Sequence, residues 1–141
     1  MGYYSEVVIQ IETKTIKDLE NIVESFNELE ISEFTETNAL KTYKYVTRQN
    51  EEIYTLLLQY PSVKWYTQFP MIKEFEKWFK KYSDIAEVGE NTYGILSTQF
   101  QRIGDDDDDN EYHVSGDPYN YLYLTRSVEI EIEQNGHTIE I

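Results

Sequence analysis

The chain has 141 residues, 40% of them hydrophobic and 15% aromatic, enough for one domain around one packed core. Its 27 acids against 12 bases give a net charge of -15, which argues against binding nucleic acid through phosphate and against docking on anionic membranes. There is no cysteine, so disulfides, thiolate zinc sites and cysteine nucleophiles are excluded.

The opening residues Met1 to Glu6 have neither the basic start nor the apolar stretch of a secretory signal, and Glu6 stands where a myristoylation motif has Ser or Thr. No apolar run approaches the ~18 residues of a membrane span. The expectation is a soluble protein that works where it is made.

Glu6 to Glu12 alternates Val7, Ile9 and Ile11 with Glu6, Val8, Gln10 and Glu12, the period of a half-buried strand. Thr15, with Asp18 three residues on, caps a helix whose stripe is Ile16, Leu19, Ile22, Val23, Phe26 and Leu29. Its other face carries Asp18, Glu20, Glu24 and Glu28. A polar connection from Glu30 to Asn38 leads to a strand over Leu40 to Thr47 and another over Ile53 to Tyr60. Arg48 to Glu51 between them reads as a hairpin turn, and Pro61 is expected to end the second strand.

Pro70 opens a second helix with the stripe Ile72, Phe75, Trp78, Phe79 and Tyr82, and Lys80 and Lys81 are read as its C-terminal charges. Ser83 to Asn91 is expected to be a loop, Tyr93 to Ile103 a strand, and residues 104–118 an acidic loop. A long strand over Tyr121 to Ile132 and a short edge at Thr138 to Ile141 complete the chain, with a turn signal at Asn135-Gly136. The order β-α-β-β-α-β implies an α+β domain: an antiparallel sheet with two helices on one face, ferredoxin-like, plus a C-terminal strand or hairpin.

Charge is unevenly spread. Residues 1–36 carry -7, residues 37–81 carry +4 and residues 82–141 carry -12. The densest acidic feature is Asp105, Asp106, Asp107, Asp108 and Asp109, joined by Glu111 and Asp117. A calcium site would need several carboxylate oxygens, but the EF-hand spacing is absent. Carboxylates can instead occupy a partner's phosphate-binding Arg and Lys clusters, since both anions take the same charge-assisted hydrogen bonds. The plain alternative is a solvated, self-repelling loop. Glu20, Glu24 and Glu28 would extend a negative stripe if the fold brought them beside the Asp run; otherwise they form a solvated helix face.

Thirteen tyrosines, among them Tyr43, Tyr45, Tyr54, Tyr60, Tyr119, Tyr121 and Tyr123, suit either strand packing or a protein-binding sheet face. Trp65 and Trp78 read as core. His113 and His137 lack zinc spacing. There is no phosphate-binding glycine loop and no G-x-S-x-G elbow, and Ser115 near His113 and Asp117 does not make a triad. No catalytic residue, metal or cofactor is expected.

Several segments resemble a set of small acidic proteins encoded by phages and prophages. They are Gly2-Tyr3-Tyr4-Ser5-Glu6-Val7, Lys64-Trp65-Tyr66 followed by Phe69-Pro70, Arg102-Ile103-Gly104 leading into the Asp run, and Leu124-Thr125-Arg126-Ser127. The resemblance implies a phage protein made in a bacterial cytoplasm and brings no catalytic residues. It also suggests an inhibitor of host defence, such as a restriction enzyme or RNA-guided nuclease.

The leading expectation is therefore a non-enzymatic DNA mimic that occupies a basic site on a nucleic-acid-binding protein. The alternatives are an immunity protein against a basic nuclease toxin, or an accessory phage protein assembling through its tyrosine-rich sheet. A homodimer is left open.

Overall fold

The computed structural model describes residues 4–29, 40–66, 68–89, 94–104, 109–124, 128–131 and 137–140. In chain order they form β1 (Ser5–Thr13), α1 (Ile16–Asn27), β2 (Leu40–Val46), β3 (Glu52–Val63), α2 (Pro70–Val88) and β4 (Ile95–Gly104). Four shorter strands follow: β5 (Asn110–Gly116), β6 (Tyr121–Leu124), β7 (Val128–Glu131) and β8 (His137–Glu140).

β1 is the spine of the sheet. Ile9 stands opposite Leu58 of β3 on one side and Phe100 of β4 on the other, and both pairings are antiparallel. The six-stranded order is β5-β4-β1-β3-β2-β8. β1 and β2 are both antiparallel to β3 and bracket it; β3 and β4 likewise bracket β1. This is an α+β fold, and its interleaved strands agree with the expected split βαβ order.

Both helices cover the same sheet face, because their apolar stripes need the same partner. Leu19, Ile22 and Phe26 of α1 meet Ile72, Phe75 and Trp78 of α2 over Val7, Ile9, Ile11, Leu56 and Leu58. Trp65 and Trp78 are core residues, as their size suggests. Thr15 caps α1 by accepting from the Asp18 amide at 3.1 Å. Ser25 ties the helices together. It donates to Ile22 O and so has only lone pairs left for Trp78 Nε1 at 2.9 Å and Tyr82 OH at 2.8 Å.

Four expectations are corrected. α2 does not stop at Tyr82 but runs to Val88, with Gly89 in the left-handed conformation as its C-cap, so Lys80 lies mid-helix and pairs with Asp84. β3 continues past Pro61 to Val63: its register against β1 shifts between Ser5 and Val7, and a bulge needs no ladder N–H from proline. Within the supposed 104–118 loop, Asn110–Gly116 is a strand, β5, paired along the edge of β4. The long strand from Tyr121 is instead two short strands, β6 and β7, that pair with each other in a separate ribbon. The last strand, β8, joins the far edge beside β2. Among the described residues no helix is long and apolar enough to cross a membrane.

Candidate functional site

At the β5 edge, Arg102 of β4 braces the start of the acidic hairpin. Its guanidinium grips Asp109 through two bonds of 3.0 and 2.6 Å, bonds Glu111 Oε1 at 3.1 and 2.8 Å, and donates to Ser5 Oγ at 3.1 Å. All its donors are thereby engaged. The Asp109 hydrogen bonds, with help from Glu111, hold the Arg102 pKa above its ordinary value despite partial burial. Gly104 N–H donates to Asp109 O, so the two strands meet at the mouth of the acidic connection. Asp105, Asp106, Asp107 and Asp108 lie outside the described residues. The charges of Asp109 and Glu111 are thus engaged within the chain, while Asp117 is exposed just beyond β5.

Glu20, Glu24 and Glu28 lie on the opposite side of the molecule. Glu20 and Glu24 are exposed on α1 and Glu28 at its C-cap, and none forms an ion pair among the described residues. With Ile16, Leu19, Val23, Asn27 and Thr42 they border an open groove of about 560 Å³ between α1 and β2. Four strand spacings, roughly 19 Å, separate β5 from β2. Among the described residues, Asp109, Glu111 and Asp117 therefore lie at one edge and Glu20, Glu24 and Glu28 at another, rather than joining in one stripe.

The second sheet face holds a polar cluster that periodicity alone hides. Gln10 and Glu12 alternate with the apolar residues of β1, a pattern that normally means polar side chains facing water. Here both are buried. The chain returns after β5 and lays Tyr119 and Asn120 across them. Gln10 Nε2 and Gln99 Nε2 both donate to Asn120 O, at 2.8 and 2.7 Å. Glu12 accepts from Ser97 Oγ at 2.6 Å, Tyr119 N–H at 2.8 Å and Asn120 N–H at 3.2 Å. Burial pushes the Glu12 pKa up to about 7, and the hydrogen bonds from Ser97, the Tyr119 and Asn120 amides and the Asn120 side chain only partly oppose that rise. Thr55 Oγ1, Gln101 Oε1 and Asn120 Oδ1 are buried nearby on this face without a hydrogen-bond partner among the described residues.

The tyrosines divide by exposure, and Tyr112 was not among those the sequence singled out. Tyr45 and Tyr60 are buried, whereas Tyr112, Tyr119 and Tyr121 are exposed. Tyr112 belongs to β5, a strand the sequence reading treated as loop. His113 is exposed on β5, 3.7 Å from Glu111 and beside the Phe100 ring. No group of three or more His, Cys, Asp or Glu among the described residues is arranged to hold a metal ion. No protein-family model matches the chain, and neither a curated protein nor a solved structure matches it.

Proposed function

We propose that this protein acts by binding rather than by catalysis, using acidic surfaces to occupy a basic site on a nucleic-acid-binding protein. One observation carries the reading: Glu20, Glu24 and the C-cap Glu28 follow one another at one-turn spacing along α1 and its end, with no cation paired to them among the described residues, beside an apolar groove. Like charges at i,i+4 destabilise a helix by about 0.2–0.5 kcal/mol per pair, and a cationic partner relieves that repulsion. Ile16 and Val23 add apolar contact, which a purely solvated acidic face would lack.

Asp105 to Asp108 supply the second acidic surface in this proposal. In the sequence they lie between Gly104, which ends β4, and Asp109, whose carboxylate Arg102 holds. A defence nuclease, as the phage resemblance implies, and a toxin nuclease present the same basic chemistry.

The test is affinity capture from bacterial lysate at low and high salt. It compares wild type with a Glu20→Gln/Glu24→Gln/Glu28→Gln variant and an Asp105–Asp108 to Asn variant. Wild type should retain a basic nucleic-acid-binding protein that salt releases, because exposed charges are screened over about 8 Å at physiological ionic strength. Each variant should retain less. Undiminished capture by both variants would sink the proposal. Exposed Tyr112 and Tyr121 favour a second reading, assembly through the sheet, which predicts oligomers that persist at high salt.

A further inference from the structure

β5 is the outermost strand on one side of the six-stranded sheet. We propose that its open edge takes up an extended, basic segment of the partner protein as an added antiparallel strand. The inference rests on the binding reading above for the sign of the partner's charge, and it supplies the place and form of one contact.

Register fixes which main-chain groups face outward. Gly104 N–H donates to Asp109 O at 2.7 Å, so these opposed residues form a hydrogen-bonded site at the start of the β4–β5 ladder. Such sites recur at every second residue of an antiparallel pair. Glu111, His113 and Ser115 therefore turn their main chain toward β4, and Tyr112 and Val114 turn theirs to the open side. Among the described residues no main-chain partner meets the outward groups of Tyr112 or Val114. β5 runs without a register shift and contains neither proline nor lysine. It lacks the bulge, proline and lysine that commonly blunt an exposed edge.

The two faces beside this edge differ. Tyr112 donates to Gln99 Oε1 at 3.3 Å, which places it on the face away from the helices, and alternation puts Val114 with it. They are 46% and 37% exposed, so both offer apolar surface to a strand laid alongside. The helix side is acidic. Ser115 donates to Glu87 Oε2 of α2 at 3.0 Å, and His113, on the same side as Glu111, lies beside the Phe100 ring. Burial, with repulsion from Glu111, raises the Glu76 pKa above its ordinary value, so this second α2 carboxylate stands near the same strand. Glu76 and Glu87 have no ion-pair partner among the described residues.

These faces select the occupant. In an added antiparallel strand, residues opposite Tyr112 and Val114 share their face, and the residues between them point toward α2. The first set covers the exposed tyrosine and valine with apolar side chains. The second set meets Glu76 and Glu87 with Lys or Arg, since opposite charges across a strand pair attract and like charges repel. A second copy of this chain would bring another net charge of -15 and the same carboxylates to the edge, which disfavours self-pairing.

The probe is a short, capped peptide alternating arginine and valine, titrated into the full chain at physiological salt and followed by NMR. At saturation the Tyr112 and Val114 amides should gain about tenfold or more in hydrogen-exchange protection, while the Glu20 and Glu24 amide resonances stay in place. The same peptide N-methylated at its valines keeps every charge but cannot donate to β5, and should bind about tenfold more weakly. Val114→Pro removes an outward N–H and leaves the ladder to β4 intact, so affinity should fall about fivefold. No gain in protection at Tyr112 and Val114, or equal binding by the methylated peptide, would overturn the proposal. So would protection that appears without peptide and grows with protein concentration, the mark of a second copy. If Val114→Pro does not fold, the methylated peptide decides the question on the unaltered chain. The lysate capture is read separately. Undiminished capture by both charge variants overturns the acidic-surface reading, whereas peptide binding without protection at β5 overturns the added strand alone.

Discussion

Glu12 and Arg102 are the two charged side chains buried among the described residues, and the fold treats them oppositely. Arg102 is ringed by carboxylates, so its charge is neutralised where it sits. In Arg102→Met, Asp109 and Glu111 would face each other without a cation. Both keep part of their solvent exposure, so we expect a loss of about 2 kcal/mol in a denaturant titration, below that of a fully buried pair. Glu12 has donors but no cation. Because its folded pKa is raised, its contribution to stability is fully present below about pH 4.5 and is lost as pH rises through about 7. Its span is on the order of 3 kcal/mol. Thermal melts of wild type and Glu12→Gln between about pH 5 and about pH 8 should diverge accordingly. Neither role was legible in the sequence. Glu12 matches the polar half of an alternating strand, and the segment that buries it arrives from 108 residues away.

The two helices show what local chemistry specifies. Thr15 and the Leu19–Ile22–Phe26 stripe mark α1 in the sequence, and the structure has it there. Thr15→Ala should cost about 1 kcal/mol by chemical denaturation, since the Asp18 amide loses its acceptor. Pro70 marks the start of α2, but its end was read six residues early. Ala86 carries the stripe into the last turn, and so small a side chain gives little hydrophobic signal. Between the helices, Ser25→Ala would leave Trp78 Nε1 and Tyr82 OH without their acceptor. We expect a loss of about 2 kcal/mol, with a shift in Trp fluorescence as a second readout. β5 was invisible to pattern reading because Asn110–Gly116 is almost entirely exposed. It is a strand because β4 offers it an edge and Arg102 holds its first carboxylates.

For the whole molecule, a net charge of -15 on 141 residues means self-repulsion in the folded state. Added monovalent salt should therefore raise the melting temperature, even as it weakens capture of a cationic partner. A melting temperature that stays flat or falls with salt would show that the in-chain ion pairs outweigh the repulsion. The division of carboxylates between the α1–β2 and β5 edges also has a consequence. Neutralising one edge should leave the other edge's contribution to binding intact, so the two effects should add in a combined variant.

The sequence by itself determined the α+β class, the two helices, the β2–β3 hairpin and the sign of the surface, because each depends on periodicity, capping or composition within a short stretch. The tertiary structure alone decided which acidic residues are neighbours and that Arg102 engages Asp109 and Glu111. It also decided that the polar side of β1 is covered rather than wet. Those outcomes depend on strand order and on where the C-terminal segment returns, and both are set by contacts between residues far apart in the chain.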